Sequence, residues 1–507
     1  MKKIIALLLA ATMLLSLAAC GSSNGGETQK PAVNSPATNE NNATEAYVVD
    51  LAFPTMQAIP SAEAIQQVED AINAHIVNNL GITDVLLNID FRSLTDYQTV
   101  VGMELASGAK MDIFLTTDLP TYVTNGYMTD LTPYLDNEMA GAKEVIEDWL
   151  SCGTVDGTVY AIPCYKGQVL SWKYFYDKAI TDGVYDMSTV DSFDDLDAVF
   201  EALKEAHPDE YFGAYTNQYP TLYAFEDHTS VIGTYFATVG DDPTVVNYFA
   251  TDAFRKGIEK AYEHRQKGWV EPEGSANTQT HDALVMSGAV KGVIMGHAYS
   301  VETAEKMFTM NNSYGAEFGA VEIARSDMST NTLTYGIAYT SENPAAAAKM
   351  MNLIWTDEVI ASSLIYGLEG ISWEWNEDHT SIQYPEGLGL DTVPYTALYT
   401  CGAFGNQFLL YGFDGNTSEE DKVFMKELID EAWYPPLFGF IPNSSPVATQ
   451  VAAISNVYDQ YFDPLTYGDV DPEEFLPQFL DALEAAGIND VIAEYNAQAQ
   501  AWLKANG

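Results

Sequence analysis

The organisation of the chain is indicated by the stretch Cys152-Gly-Thr-Val-Asp-Gly-Thr-Val-Tyr-Ala-Ile-Pro-Cys-Tyr-Lys-Gly-Gln-Val-Leu-Ser-Trp172. Near its start, Asp156-Gly157 stands between two alternating runs that are rich in β-branched residues, which is the strongest short signal for a β-hairpin. The pattern predicts that residues 153–155 pair with residues 158–162. This hairpin could lead into a crossover between two lobes. On local sequence alone, an ordinary surface hairpin is an equally good interpretation, and the rest of the chain decides between these two interpretations.

Pro163 follows the second strand of this hairpin and has no backbone N–H with which to continue a sheet. The chain should therefore leave its sheet at Pro163, as it would where it crosses from one lobe to another. The side chains that follow, Tyr165, Lys166 and Gln168, would emerge where the two lobes face each other. Because ligands bind in such clefts, these three residues are candidate ligand contacts.

The N-terminus has the features of an export signal. Met1-Lys2-Lys3 precedes a largely apolar run over residues 4–19, which is shorter than the roughly 20 residues of a membrane span. Leu17-Ala18-Ala19-Cys20 matches a bacterial lipoprotein cleavage box, so residues 1–19 should be removed and Cys20 should carry the lipid. Residues 20–46 are too polar to fold, which predicts a disordered tether between a lipid anchor and a body on the extracellular face of the cell membrane.

The charge balance restricts the possible partners. The chain has 22 basic against 72 acidic residues, a net charge of −50. Polyphosphate backbones are repelled by such a charge, so nucleic acid is not expected as a partner. The arginines are Arg92, Arg255, Arg265 and Arg325, which leaves little of the bidentate chemistry that binds carboxylates and phosphates. A neutral polar ligand is therefore favoured over an anionic one.

The cysteines do not indicate a disulfide framework. Besides the expected lipid site the chain has Cys152, Cys164 and Cys401, an odd number. Pairing centred on the hairpin turn places Cys152 opposite Ala161 rather than opposite Cys164. Free buried thiols are therefore expected.

Catalytic and metal-binding motifs are absent from the sequence. No Gly-x-Ser-x-Gly elbow, His-Glu-x-x-His or phosphate-binding loop occurs, and no cysteine spacing suggests a metal or a redox pair. The run Asp414-Gly-Asn-Thr-Ser418 begins like a calcium loop but lacks the later Gly and Glu. We expect no metal, no cofactor and no catalytic residue. A glycoside hydrolase needs only two carboxylates, and the composition leaves that alternative open.

The mature body is long enough for two domains, and its first half alternates strands and helices. The predicted strands cover residues 47–53, 84–91 and 112–116, and the predicted helices begin after Ser61 and at Tyr97. This pattern predicts an α/β lobe with a parallel sheet. In such sheets ligands bind beyond the carboxyl ends of the strands, so Asp118, which follows the third strand, is a candidate ligand contact.

The later segments continue this pattern and then become helical. Helices are predicted over residues 193–205, 252–267 and 343–355, with strands over 290–295 and 316–323. The C-terminal third is predicted to be mostly helical, over residues 418–432, 446–462, 472–486 and 488–503.

The order of these features resembles a known family. An export lipobox, a tether and an α/β lobe are followed by the Tyr160-Ala161-Ile162-Pro163 crossover, the strand Gly292-Val-Ile-Met-Gly296 with an aromatic residue after it, and a helical tail. This order is similar to that of the extracellular solute-binding proteins of ABC importers, of the family 1, maltose-binding-protein-like type. Tyr366-Gly367-Leu368-Glu369-Gly370-Ile371, Gly405-Asn406-Gln407-Phe408 and Val470-Asp471-Pro472 further resemble the lipoproteins of that family that bind complex polysaccharides or aldouronates.

The resemblance implies a two-lobed, periplasmic-binding-protein-like α/β clamp with hinge crossovers and a helical C-terminal extension. Residues 47–162 would form the first lobe, to which residues 319–370 would return after a second crossing near residues 314–323. Residues 163–318 and 371–507 would form the second lobe. The resemblance also implies a monomer that captures an oligosaccharide, a neutral one by the arginine argument, and delivers it to the permease subunits of an importer. A surface glycoside hydrolase, or a binder of uronic-acid oligosaccharides or peptides, is the alternative.

A sugar-binding site needs aromatic platforms beside amide, carboxylate and hydroxyl groups, because sugar rings have apolar faces and hydroxyl edges. Trp373 and Trp375 are two residues apart and would project to one face of an extended segment, into the ligand site or into the core. Tyr299 stands where the resemblance implies a ring-stacking aromatic residue, with His297 close by.

Asn406 and Gln407 have amides that bond hydroxyl groups bidentately, although the segment around them is equally compatible with the start of a helix. The complete set of predicted ligand contacts is Asp118, Tyr165, Lys166, Gln168, His297, Tyr299, Trp373, Trp375, Asn406 and Gln407.

Overall fold

The computed structural model describes residues 46–215, 228–311, 316–329, 333–414 and 416–506. The expected signal peptide, the expected lipid site at Cys20 and residues 20–45 of the expected tether lie outside these ranges. The strands are β1 (Tyr47–Thr55), β2 (Val85–Ser93), β3 (Ile113–Leu115), β4 (Thr154–Val155), β5 (Thr158–Val159), β6 (Ala161–Pro163), β7 (Ser171–Asp177), β8 (Thr229–Ile232), β9 (Phe236–Val239), β10 (Asp242–Asn247), β11 (Gly292–His297), β12 (Phe318–Arg325), β13 (Thr334–Ile337), β14 (Glu374–Trp375) and β15 (Ile382–Gln383).

The helices are α1 (Ala62–Asn78), α2 (Tyr97–Ser107), α3 (Leu119–Thr124), α4 (Ala140–Ile146), α5 (Lys178–Thr181), α6 (Leu196–Ala206), α7 (Asp252–Gln266), α8 (His281–Met286), α9 (Val301–Asn311), α10 (Pro344–Thr356), α11 (Glu358–Tyr366), α12 (Glu419–Glu431), α13 (Ala448–Thr466), α14 (Pro472–Ala485) and α15 (Ile488–Asn506). Within the described ranges, no helix combines the length and the apolar character that a membrane crossing needs.

The first lobe is built on a sheet with the strand order β2-β1-β3-β13-β6. β1 runs parallel to β2 and β3, whereas β13 is antiparallel to β3 and β6. α1 begins where expected, because the Ser61 hydroxyl accepts a hydrogen bond from the Ala64 N–H at 3.2 Å. Val68, Ile72 and Ile76 of α1 are buried in the core of this lobe. The expected α/β lobe with parallel strands is thus confirmed.

The hairpin predicted around Asp156-Gly157 is also confirmed. β4 pairs with β5 with Thr154 opposite Val159 and Val155 opposite Thr158. Asp156 and Gly157 have φ of 50° and 78°, the left-handed values that a two-residue type I′ turn requires. Cys152 and Cys164 are free and buried, as expected.

The second lobe is built on a smaller sheet with the order β11-β7-β12, in which both outer strands are antiparallel to β7. β7 was not predicted, because Lys173 stands in the middle of its aromatic run. That lysine is fully buried, and Trp172 and Phe175 pack into separate cores. Ser171 pairs with both His297 and Arg325, so the ends of β11 and β12 lie beside the start of β7, where the chain arrives from the first lobe.

Within the described ranges, three segments connect the lobes. β6 ends at Pro163, whose carbonyl accepts a hydrogen bond from the Trp355 indole at 2.9 Å, and this bears out the predicted crossover. The return runs from Arg325 to Thr334, later than the expected 314–323, because residues 318–325 complete the second sheet. The third connection is α12, which was predicted as a helix over residues 418–432 but not as a connection between the lobes. It joins a segment packed on the first lobe to the C-terminal helices.

The C-terminal extension is helical, as expected, and α13, α14 and α15 share a core with α7, β9 and β10. The expected assignment of all residues after 370 to the second lobe is corrected by the structure. Side chains of the segment from Trp373 to Phe413 pack instead into the core of the first lobe, where Phe404 lies 4.6 Å from Phe53 between ring centroids. This segment is mostly irregular. Its sequence therefore has no apolar periodicity from which its packing on the first lobe could have been predicted.

Candidate functional site

A cavity of about 750 Å³ lies between the two lobes. The second lobe contributes the start of α9, with Ser300, Glu302 and Thr303. The first lobe contributes the turn between β14 and β15 and residues 411–414, and the start of α12 closes one side. The volume of the cavity lies within the range of roughly 300–1,000 Å³ that is typical of small-molecule binding sites. A ligand here would touch both lobes.

An aromatic wall lines the side of the cavity that belongs to the first lobe. The Trp375 ring is partly exposed and lies 5.1 Å from the Tyr411 ring and 5.9 Å from the His379 ring, between centroids. Partly exposed aromatic faces suit the apolar face of a sugar ring. Tyr411 and His379 were not predicted as site residues, since their positions in the sequence give no sign of the contact with Trp375.

Trp373 does not line the cavity. It is 6% exposed, its indole N–H donates to the Gly367 carbonyl at 3.0 Å, and its ring meets that of Trp375 edge-on at 5.6 Å. Because Trp373 and Trp375 are two residues apart, their side chains were predicted to lie on the same face of an extended segment. The chain instead enters β14 only at Glu374, so Trp373 belongs to the core that supports Trp375.

The polar lining of the cavity is strongly acidic. Lys306 is the lysine among the described lining residues, and it is paired with Glu302 at 2.8 Å. The carboxylates that line the cavity are those of Glu302, Glu358, Asp414, Glu419 and Glu420. Carboxylates accept hydrogen bonds from hydroxyl groups, and the negative surplus opposes an anionic ligand. In the described part of the chain, no group of three or more His, Cys, Asp or Glu is placed to hold a metal ion.

His297 and Tyr299 stand at the end of β11, just before Ser300 of the cavity wall. Their rings lie 5.9 Å apart between centroids. Burial, and secondly the nearby Lys173 ammonium, lower the pKa of His297 to about 4, so this imidazole is neutral at pH 7. Lys173 donates to the Ser171 carbonyl at 3.3 Å and lies 5.7 Å from the Phe424 ring of α12, and burial lowers its pKa to about 8.

The residues predicted at the crossover come together, but their amides are engaged by the backbone. Gln407 N–H donates to the Tyr165 carbonyl at 2.8 Å, and the Gln407 side-chain oxygen accepts from the Gly167 N–H at 3.1 Å. Asn406 donates to the Trp355 carbonyl at 3.2 Å and accepts from the Phe408 N–H at 3.0 Å, as the cap of a short 3₁₀ helix. The Gln407 amide therefore holds the crossover in place, and the Asn406 amide fixes the segment that carries Gln407.

The remaining predicted residues lie outside the lining of this cavity. Lys166 is partly exposed and Gln168 is buried in the crossover. Asp118 caps α3 by accepting a hydrogen bond from the Thr121 N–H at 3.3 Å. The helix that it caps lines a second cavity of about 400 Å³, between the β4–β5 turn and the end of α15.

Comparison with known proteins agrees with this architecture. A family sequence model described as bacterial extracellular solute-binding protein matches residues 83–360, more than half of the chain. The chain belongs to this family. The family resemblance noted from the sequence is thus confirmed. A second sequence model, described as a domain of unknown function, matches residues 436–504, which include α13 and α14.

Individual solute-binding proteins extend the similarity to nearly the whole chain. A carbohydrate ABC transporter substrate-binding protein of Streptococcus pneumoniae serotype 4 is 23% identical over 427 residues, covering 82% of this chain and 84% of the relative. The crystal structure of the N-glycan transport solute binding protein NgtS from Streptococcus pneumoniae superimposes with a TM-score of 0.72 at 20% identity, over 90% of this chain and 99% of that one. Its complex with Man1GlcNAc gives a TM-score of 0.62 at the same identity and coverage. These likenesses confirm the two-lobed fold of the family.

Proposed function

We propose that this solute-binding protein captures a neutral oligosaccharide between its lobes and delivers it to the permease of a carbohydrate ABC importer. The observation that carries the proposal is the cavity walled by both lobes, with the Trp375 and Tyr411 rings on one side and carboxylates around them. The similarity to a carbohydrate transporter component and to a glycan-binding protein supports the same ligand class.

The chemistry of the cavity favours neutral sugars over acidic ones. Aromatic faces pack against the C–H face of a pyranose, and carboxylates accept hydrogen bonds from its hydroxyl groups. A uronic acid would bring a further negative charge beside five carboxylates and one lysine that is already paired. Like charges brought together without a counter-charge weaken binding, so the lining discriminates against acidic glycans.

The location follows from the N-terminal sequence. Here the proposal is that Cys20 carries the lipid, that residues 20–46 form the tether, and that the protein acts as a monomer on the extracellular face. Replacement of Cys20 by Ala should release the protein from the membrane fraction into the medium. Retention of that variant in the membrane fraction would contradict the anchor.

The ligand class is tested with protein that lacks residues 1–20. Thermal unfolding is followed with Man1GlcNAc, Man5GlcNAc, oligogalacturonates and short peptides, and each glycan is analysed by chromatography afterwards. A ligand at 100 times its dissociation constant adds about 2.7 kcal/mol to the stability of the native state, a clear rise in melting temperature. We expect a rise with neutral glycans, which are recovered intact. A rise only with uronates or peptides would refute the ligand class, and a shortened glycan would indicate a hydrolase.

A further inference from the structure

A buried carboxylate, that of Asp421, lies behind the lining of the cavity. Asp421 is fully buried, and its two oxygens accept four hydrogen bonds. One oxygen accepts from the Ser300 N–H at 3.0 Å. The other accepts from the Thr303 hydroxyl at 2.9 Å, the Ser418 N–H at 2.9 Å and the Ser418 hydroxyl at 2.6 Å. The starts of α9 and α12 are thereby joined through one side chain.

The residues that Asp421 binds are cavity residues, whereas Asp421 itself does not line the cavity. Ser300, Thr303 and Ser418 all belong to the lining. From this geometry we propose that Asp421 is the positioning residue of the ligand site, which holds the wall from the second lobe at a fixed spacing from the start of α12. The inference rests on the proposed function, because it concerns the same cavity and the same ligand.

The local role of Asp421 explains only half of its hydrogen bonds. Ser418-x-x-Asp421 forms a capping box at the start of α12, which accounts for the bonds to Ser418. The bonds to Ser300 and Thr303 cross to an element more than 110 residues earlier in the chain. A helix cap does not need them, so they are available to fix the position of α9.

The start of α12 is also fixed on the side of the first lobe. The Lys422 ammonium donates to the Leu410 carbonyl at 2.6 Å, and the Glu419 carboxylate accepts from the Gly412 N–H at 3.1 Å. The first turn of α12 therefore meets both walls of the cavity, and Asp421 provides its contact with the second lobe. Loss of that contact frees one wall while the other stays in place.

Replacement of Asp421 by Asn tests this role. An amide presents N–H donors where one carboxylate oxygen accepts bonds, so part of the set of four bonds must break. We expect the dissociation constant for Man5GlcNAc, measured by titration calorimetry, to rise about tenfold, the change that corresponds to the loss of one hydrogen bond to a charged group.

The matched control is Asp112→Asn. Asp112 is also fully buried, and it accepts hydrogen bonds from the Tyr47 hydroxyl, the Asp50 N–H and the Ser341 hydroxyl, but none of these residues lines the cavity. Both variants should lower the melting temperature, and only Asp421→Asn should weaken binding. Equal dissociation constants for Asp421→Asn and wild type would overturn the positioning role, as would an equal loss of affinity in Asp112→Asn.

A second pair of variants keeps the test decisive if Asp421→Asn does not fold. Thr303→Val removes one hydroxyl that donates to Asp421, whereas Thr303→Ser keeps it. We expect weaker binding in the Val variant than in the Ser variant. Equal affinities in the two variants would overturn the proposal. If the wild-type protein binds none of the neutral glycans, the proposed function fails, and the positioning role fails with it. If the wild-type protein binds a neutral glycan and these variants bind it equally well, the positioning role alone is refuted.

Discussion

At the scale of single residues, the structure separates two tryptophans that the sequence presents as a pair. Trp375 is partly exposed in the cavity, so Trp375→Ala should weaken oligosaccharide binding by about 2 kcal/mol, roughly thirtyfold, with little loss of stability. Trp373→Phe removes the buried indole N–H that bonds the Gly367 carbonyl, so it should lower stability by about 1–2 kcal/mol and leave affinity unchanged. Calorimetry and thermal unfolding of both variants distinguish these effects. The opposite pattern would mean that Trp373 is the contact.

His297 gives a prediction about pH. Its folded pKa of about 4 lies below the value of about 6.5 of an unperturbed histidine. Between these two values the unfolded chain binds more protons than the folded one, so stability that is present above pH 6.5 is lost as the pH falls towards 4. His297→Gln lacks this ionisation, so its melting temperature should fall less steeply than that of wild type over the same range. Carboxylates contribute to both curves alike, and parallel curves would contradict the half-buried, neutral imidazole.

At the scale of elements, the contact between the first crossover and α12 should control how the lobes meet. A Cβ atom at Gly167 would lie 2.9 Å from the Ala298 Cβ and 3.0 Å from the Met425 sulfur, so the crossover must move in Gly167→Ala. Such overpacking costs about 1–3 kcal/mol, and we expect weaker ligand binding as well. The control is Gly102→Ala inside α2, where nothing lies within 4 Å, and it should stabilise the protein by about 0.5–1 kcal/mol. Unfolding in urea measures both changes, and an unaltered affinity in Gly167→Ala would show that this contact does not govern binding.

The elements that could be predicted are those with a local pattern. The Asp156-Gly157 turn, the helix after Ser61 and the C-terminal helices follow from turn chemistry, capping and apolar periodicity. β7 was not predicted because a lysine, Lys173, interrupts its apolar pattern. This lysine is buried by the neighbouring strands and α12, which are brought around it only in the folded chain. Of the residues in and behind the candidate cavity, Trp375 was named from the sequence, whereas Tyr411 and Asp421 were not. Asp421 looks in the sequence like a helix cap, and its contacts with α9 exist only in the folded chain.

At the scale of the whole molecule, the charge and the site agree. The net charge of −50 repels anionic solutes at long range, and the cavity continues this bias with five carboxylates against one lysine. Screening is substantial beyond about 10 Å at 0.1 M salt, so for the proposed function we expect the lining carboxylates, rather than distant charges, to determine which sugar binds. The sequence has few arginines, and none of them is among the described residues that line the cavity.

The two walls of the cavity come from different lobes, so a ligand that touches both must favour arrangements that bring them together. We therefore expect the radius of gyration from small-angle scattering to decrease when wild type is saturated with a neutral oligosaccharide. Trp375→Ala, at the same sugar concentration, should keep the larger radius because most of it stays unliganded, and it should contract only at higher concentration. A radius that is constant in wild type at proven saturation would rule out closure, and the site would then bind sugar as a rigid cleft.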